Sequence, residues 1–333
     1  MAHKTIIDGT FYEIKGGKTL VEGTSYSIKG GKTLVNGTAY EVGFSGFPDD
    51  LDTGLEFISA SPFTISVSNS SSWDGTMEYT NGNGWVSWDG SEISSGDAEN
   101  GQCVYIRGTG NTRLCVEVDR NNINWILSGT NIKCNGDIGK LLDYATVRAG
   151  RQPTMSDYCY TYMFRDCTAL TSAPRLPATT LTKYCYCGMF YGCTSLTTAP
   201  SLPTTTLSEN CYTYMFRDCT ALTSAPRLPA TTLAKYCYFY MFYGCTSLTT
   251  APSLPATTLL SNCYGGMFCG CGKIKLSATQ TGEYQIAYRI PTSGTGQSSS
   301  TSMNYMLEGT GGTFTSNPQV NTTYYLSSSN TVV

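Results

Sequence analysis

The residues able to do chemistry are few in kind and regular in spacing. The chain has fifteen cysteines but a single histidine, His3. One histidine near the start of the chain argues against Ser-His-Asp and Cys-His catalysis and against multi-histidine metal sites. Ten cysteines fall into two evenly spaced columns: Cys159, Cys185, Cys211, Cys237 and Cys263, and then Cys167, Cys193, Cys219, Cys245 and Cys271. Stacked about 5 Å apart, each column becomes a ladder of thiols. That distance lies within disulfide reach, so oxidised and reduced ladders are both open. The expected state is reduced and buried, each thiol packing as a small hydrophobe. An odd total leaves at least one thiol free or intermolecular. Zinc is not expected, because Cys185-x-Cys187 and Cys269-x-Cys271 lack the usual C-x₂₋₄-C pairing.

Three other constellations have a chemical reading and a plainer one. Asp49, Asp50 and Asp52 could hold calcium, but no EF-hand spacing follows, so a solvated loop is expected. Trp73, Trp85 and Trp88 could stack on a sugar, but core packing is expected. Asp and Glu are too scattered to mark the paired carboxylates of glycoside hydrolysis. No catalytic residue, cofactor or metal is assigned, and the chain is read as not an enzyme.

The strongest binding candidates come from comparing the repeated units within the chain. Core letters repeat, whereas a few columns change. One reads Arg165, Tyr191, Arg217, Tyr243; another reads Arg175, Ser201, Arg227, Ser253. A third covers Thr161-Tyr162, Cys187-Gly188, Thr213-Tyr214, Phe239-Tyr240 and Gly265-Gly266. Columns that vary inside a rigid repeat are expected to be exposed. Tyr162, Arg165, Arg175, Tyr191, Tyr214, Arg217, Arg227, Phe239, Tyr240 and Tyr243 therefore form the candidate recognition surface, since Tyr and Arg dominate binding hot spots. The alternative is a neutral solvent face whose alternation reflects tandem duplication.

The elements that must position these residues follow from the same period. Met163-Phe164, Met189-Phe190, Met215-Phe216, Met241-Phe242 and Met267-Phe268 keep the interval of the cysteine columns. The unit is Met-Phe-x-x-Cys-Thr-x-Leu-Thr-x-Ala-Pro-x-Leu-Pro-x-Thr-Thr-Leu-x-x-x-Cys-Tyr-x-x. A repeat of this length predicts a solenoid. Leu170–Pro174 reads as a short strand ended by proline. Leu181, Cys185, Tyr186, Met189 and Phe190 have the spacing of a short helix with one buried face. Stacked units are expected to form a parallel sheet on one side and a row of helices on the other.

The rest of the chain reads as β structure. Three 14-residue repeats occupy 1–44, with turns at Asp8-Gly9, Glu22-Gly23 and Asn36-Gly37 that suit a left-handed glycine. So short a unit cannot form a core alone. A shaft shared by three chains, or a small meander of hairpins, would supply one, and the trimeric shaft is the favoured expectation. Residues 45–150 alternate as short strands with turn signals at Asn81-Gly82 and Asp89-Gly90, which predicts a β-sandwich. Ile138–Asp143 reads as a short linking helix. The fold class is thus mainly β with a short-helix/strand solenoid: repeats 1–44, sandwich 45–150, solenoid 151–275 and a β-rich cap 276–333.

The unit Met-Phe-x-x-Cys-Thr-x-Leu-Thr-x-Ala-Pro-x-Leu-Pro, over about 159–272, resembles the leucine-rich repeats of the BspA-like type. It looks closest to versions in gut bacteria and their tailed phages, where the coils follow a β-rich domain and end in a tail like Gly311-Gly312-Thr313-Phe314. The Lys-Thr-Leu-Val-x-Gly-Thr repeats similarly resemble N-terminal segments of phage structural proteins. The resemblance implies adhesion or recognition rather than catalysis, and supplies no ligand.

Composition agrees with a structural role. Charged residues are 14%, net charge is −3, and 24 Tyr and 12 Phe give ample material for a core. Globular domains average about 25% charged residues. No dense basic stripe marks a nucleic-acid binder, and no apolar run reaches the roughly 18 residues of a membrane helix. Met1–Asp8 has no signal-peptide pattern. The expected function is a phage virion structural protein, a fibre, spike or decoration protein. It is assembled in the host cytoplasm and recognises a host-surface protein or glycan. Its expected partners are two further copies, joined through 1–44, and other virion proteins. A bacterial surface or secreted adhesin is the alternative.

Overall fold

The computed structural model describes residues 51–68, 73–82, 84–98, 101–115 and 124–333, together with the backbone of six strands nearer the N-terminus. Those six are β1 (His3–Ile7), β2 (Thr10–Lys15), β3 (Lys18–Val21), β4 (Thr24–Ser27), β5 (Lys32–Val35) and β6 (Thr38–Glu41). β1 to β4 pair antiparallel in chain order, and β5 pairs with β6. This is the hairpin pairing that each N-terminal repeat predicts. The three predicted turns, Asp49 and Asp50 lie outside the described residues.

The protein is mainly β, built from several open sheets. In the middle region the strands are β7 (Leu55–Ser59), β8 (Thr64–Val67), β9 (Thr76–Thr80), β10 (Val86–Ser87), β11 (Ile93–Ser94) and β12 (Gly96–Ala98). They continue with β13 (Gly101–Thr109), β14 (Trp125–Ser128) and β15 (Ile132–Asn135). One sheet runs β10-β9-β13-β7-β15 with β12 on β13, and the other runs β11-β8-β14. Burial alternates along β7, β8, β14 and β15, as the two-residue period of a half-buried strand requires. The sheets meet through Phe57 and Trp125, whose rings stack at 5.9 Å. Trp88 packs edge-on against Trp125 and stacks on Trp73, so these two tryptophans belong to the core. Trp85 lies under the Arg107 guanidinium, 3.9 Å from its ring centre. The linking helix is α1 (Lys140–Arg148), interrupted at Asp143, where φ is −152°.

Beyond α1 the repeated units stack, and β16 (Leu170–Ser172) joins the first unit to the large sheet by pairing parallel with β15. Two columns of buried rings run through the stack. Tyr160, Tyr186, Tyr212, Tyr238 and Tyr264 lie 5.5, 5.9, 5.8 and 5.8 Å apart. Phe164, Phe190, Phe216, Phe242 and Phe268 lie 5.8, 5.6, 5.7 and 5.9 Å apart.

The expected row of helices is not there. From Tyr158 to Asp166 the backbone makes successive tight turns instead. Odd-numbered amides bond within the unit, as Met163 N to Tyr160 O at 3.2 Å. Even-numbered amides bond to the next unit, as Tyr160 N to Cys185 O at 2.9 Å and Phe164 N to Met189 O at 2.9 Å. Every fourth residue takes a left-handed φ: Tyr158 67°, Tyr162 54° and Asp166 58°. An α-helix tolerates no such residue. The Leu181, Cys185, Tyr186, Met189, Phe190 spacing is that of a four-residue turn repeat, close enough to 3.6 to imitate a helix.

The expected parallel sheet is reduced to fragments. β17 (Thr250–Ala251) and β18 (Thr258–Leu259) are short, and units meet at the single bridges Thr198–Ser224 and Thr206–Thr232. Pro174, Pro177, Pro200 and Pro203 have no N–H to give a ladder. Threonine hydroxyls substitute: Thr204 Oγ1 donates to Ala178 O at 2.8 Å, and Thr249 Oγ1 to Thr223 O at 3.1 Å.

The C-terminal segment extends the stack as well as covering it. β19 (Leu276–Ser277), β20 (Tyr284–Arg289) and β22 (Thr323–Ser327) form a small sheet. β21 (Gln297–Ser298) pairs with β18, and β23 (Thr331–Val332) with β17. Between them, Tyr264, Gly266, Phe268 and Gly270 donate to Ser302, Asn304, Met306 and Glu308, adding a sixth rung. At the opposite end Leu114 N bonds Cys159 O and Trp125 N bonds Met163 O. Both ends of the ladder are thereby covered, which repeat stacks require.

Candidate functional site

Arg165, Tyr191, Arg217 and Tyr243 occupy equivalent positions on consecutive units, so the stack places them in one line. The Arg165 guanidinium lies 5.2 Å from the Tyr191 ring centre; Arg217 lies 5.3 Å from Tyr191 and 4.5 Å from Tyr243. All fall within the roughly 6 Å range of cation–π attraction. Tyr162 flanks Arg165 at 5.6 Å and Tyr214 flanks Arg217 at 5.5 Å. Tyr240 stacks on Tyr214 at 5.8 Å and meets Phe239 and Tyr243 edge-on. Eight of the ten candidate residues therefore form one ribbon of alternating guanidinium and phenol groups. Arg175 and Arg227 lie outside it. Both are exposed, and Arg175 forms a backbone bridge with Asp137 beside the proline segments.

Exposure does not explain the variable columns. Tyr162 is 5% exposed, and Cys187 and Gly188 are buried. Room is the deciding factor. A Cβ on Gly188 would fall 2.1 Å from the Tyr162 ring, and one on Gly266 would fall 2.1 Å from the Tyr240 ring. A Cβ on Gly192 or Gly244 would fall 2.2 Å from Oδ1 of Asp166 or Asp218. Tyr162, Asp166, Asp218 and Tyr240 thus each lie over a glycine of the next unit.

The same rule orders the charges. Arg165 Nε lies 3.2 Å from Asp166 Oδ2, and Arg217 Nε lies 3.2 Å from Asp218 Oδ2. Burial works against the Arg217 charge, but the Tyr191 phenol and Asp218 outweigh it and raise its pKa above the ordinary value. Beside the ribbon runs an open groove of about 320 Å³, lined by Tyr184, Cys187, Asn210, Tyr214, Tyr236 and Phe239. The ion pair of Lys183 and Glu209, at 3.6 Å, spans two units at this side.

The cysteine columns serve the core. No disulfide joins any of the fifteen cysteines, and fourteen are buried. In the second column four thiols donate to a phenylalanine carbonyl of the preceding unit, Cys193 to Phe164 O, Cys219 to Phe190 O and Cys245 to Phe216 O at 3.0 Å and Cys271 to Phe242 O at 2.9 Å, and the first, Cys167, donates to Trp125 O at 3.0 Å. Burial pushes the thiols of Cys115 and Cys167 up to about 12, away from the nucleophilic thiolate. Among the described residues no group of three or more His, Cys, Asp or Glu side chains is arranged to hold a metal ion. No helix there is long and apolar enough to cross a membrane.

Comparison with known proteins found no matching family model, no matching curated protein and no matching solved structure.

Proposed function

We propose that this chain is a non-enzymatic recognition protein of a phage particle, a fibre, spike or decoration protein that contacts the host surface. In this reading the repeated units form a leucine-rich-repeat solenoid of the BspA-like type. The ribbon Arg165-Tyr191-Arg217-Tyr243, with Tyr214, Phe239 and Tyr240 beside it and the buried Tyr162 beneath it, carries the reading. It joins the residue types richest in binding energy on a support whose every rung is hydrogen-bonded to the next. Its partner is a host-surface protein or glycan, and several copies per particle multiply weak contacts into avidity. The repeats at 1–44 anchor the chain to other virion proteins or join three copies.

Adsorption of the purified full chain to intact gut bacterial strains tests the reading. Binding to at least one strain is expected, and Arg217→Ala with Tyr243→Ala is expected to weaken it about thirty-fold, the effect of losing roughly 2 kcal/mol at a hot spot. Equal binding by the variant removes the ribbon from the function, and binding to no strain removes the function. The solution mass of the full chain tests the trimer, and a monomer refutes it.

A further inference from the structure

The groove beside the ribbon sits where one column of the stack breaks. Tyr158, Tyr184, Asn210, Tyr236 and Asn262 hold equivalent positions on consecutive units, and all take a left-handed φ, between 52° and 67°. Tyr158 and Tyr184 stack at 4.8 Å. The next unit has no ring to continue the pair, because Asn210 stands there. One face of Tyr184 is thus covered by Tyr158, and the other looks over Asn210 into the groove of about 320 Å³. Tyr236 and Phe239, packed edge to face at 5.4 Å, form the opposite wall. In the same three units the buried rings of Tyr186, Tyr212 and Tyr238 step by 5.9 and 5.8 Å, so Tyr184 and Tyr236 stand two such steps apart. The gap is one missing ring of the column.

The groove is open as well as aromatic. Tyr184, Tyr236 and Phe239 are half-buried, and the Glu209 side chain is 40% exposed. Thr213 Oγ1 donates to Asn210 Oδ1 at 3.3 Å, which leaves Nδ2 as the free end of the amide. Nδ2 makes no hydrogen bond within the chain and is not closed off from solvent. Between its aromatic walls the groove therefore offers a donor, Asn210 Nδ2, and an acceptor, the Glu209 carboxylate. Charge does not choose the ligand. Lys183 pairs with Glu209 at 3.6 Å and Lys235 takes the same position one unit on, so both signs border the groove.

We propose that this groove holds one pyranose ring, stacked by its C–H face on the open face of Tyr184. The proposal rests on the surface-recognition reading for the source of that ring, a host glycan. Aromatic walls with a few placed polar groups are the ordinary make-up of a small-ligand site, and the volume lies at the lower end of their range. A phenylalanine, tyrosine or tryptophan side chain from a protein partner would match the walls but brings at most one polar group. It leaves the donor or the acceptor unused, a penalty that falls on any ligand lacking the matching group. A pyranose carries hydroxyls around its edge. One hydroxyl oxygen accepts from Asn210 Nδ2, and another hydroxyl donates to Glu209.

Titration of the full chain with glucose, galactose, N-acetylglucosamine and N-acetylneuraminic acid, read by ligand-observed NMR, tests this, with N-acetyltyrosine amide as the aromatic probe. Saturable binding of at least one sugar is expected, with Kd roughly millimolar. Asn210→Asp tolerates the left-handed conformation and keeps the acceptor for Thr213 but loses the donor, and is expected to weaken binding about ten-fold. Asn210→Tyr inserts the ring that the units on both sides carry at this position, and is expected to abolish binding with no fall in the thermal midpoint. No sugar binding, tighter binding of N-acetyltyrosine amide than of every sugar, or unchanged affinity in either variant overturns the proposal. Cell adsorption measured beside these titrations separates the two readings. Adsorption without sugar binding removes the groove and leaves the ribbon, whereas sugar binding without adsorption removes surface recognition and leaves the groove.

Discussion

Gly192→Ala probes the rule that orders the stack, and its cost can be worked from two observations. Gly192 has φ +73°, a conformation that costs a residue with a Cβ about 1–2 kcal/mol. The added Cβ would also fall 2.2 Å from Asp166 Oδ1, far inside any real contact. Asp166 must swing away and release Arg165, a half-exposed pair 3.2 Å apart, for about another 0.5–1 kcal/mol. The substitution should therefore destabilise by about 1.5–3 kcal/mol. In an Asp166→Gly background the obstacle is gone, and only the backbone cost of about 1–2 kcal/mol remains. The coupling between the sites is then about 0.5–1 kcal/mol, read from urea unfolding of the four chains at one protein concentration. Distant independent sites add within about 0.5 kcal/mol. If the Gly192→Ala cost is the same in both backgrounds to within that margin, the alternation of Asp and Gly has nothing to do with packing.

Two further predictions concern the core. Phe216→Ala removes a fully buried ring from the middle of its column and should cost about 3–5 kcal/mol; a thermal melt showing no loss would mean the column does not carry the stack. The buried thiols predict loss of stability in alkali. Burial pushes Cys115, Cys167 and Cys263 to about 12, whereas an unfolded thiol titrates near 9.0. Between these values the unfolded chain gives up protons that the native chain keeps. Stability is therefore full below pH 9 and falls as pH rises towards 12, by about 1.4 kcal/mol per thiol at pH 10 and about 4 kcal/mol for the three. A urea midpoint in reducing buffer that is unchanged between pH 8 and pH 10 would contradict it.

The stacking of the units is legible because the core positions are identical in every unit. Tyr, Cys, Met and Phe recur at one fixed interval and land in the buried columns. The local conformation is misread for a physical reason. A buried face recurring at four, one, three and one residues fits a 3.6-residue helix and a four-residue turn repeat equally well. The distinguishing signal lies in the other residues: Gly188 and Gly192, Asn210 and Asp218, Gly266 and Gly270 sit four or eight apart at left-handed positions. Tyrosines at 158, 162, 184 and 214 take the same conformation and hide that pattern, because tyrosine is not a residue from which a left-handed φ is read. The sixth rung at 302–308 is illegible for a related cause. Its buried Met303, Met306 and Leu307 fill the column space with different side chains.

The candidate ribbon follows from a rule that the structure replaces. Variation between units suggests exposure, yet the changing columns are governed by what the neighbouring unit leaves room for. Asp166 and Asp218 each need a glycine in the next unit, so this column alternates, and the true repeat is a pair of units. Arginine follows the aspartate with which it pairs, and tyrosine follows the glycine. Two arginines on adjacent units would repel at the spacing of the stack, whereas an arginine between two tyrosines is held from both sides. Backbone sterics and charge therefore select the same alternation. The consequence is geometric: the cations of the ribbon repeat every second rung, separated by aromatic faces, on a support that cannot slide by one unit without placing a side chain where a glycine must be.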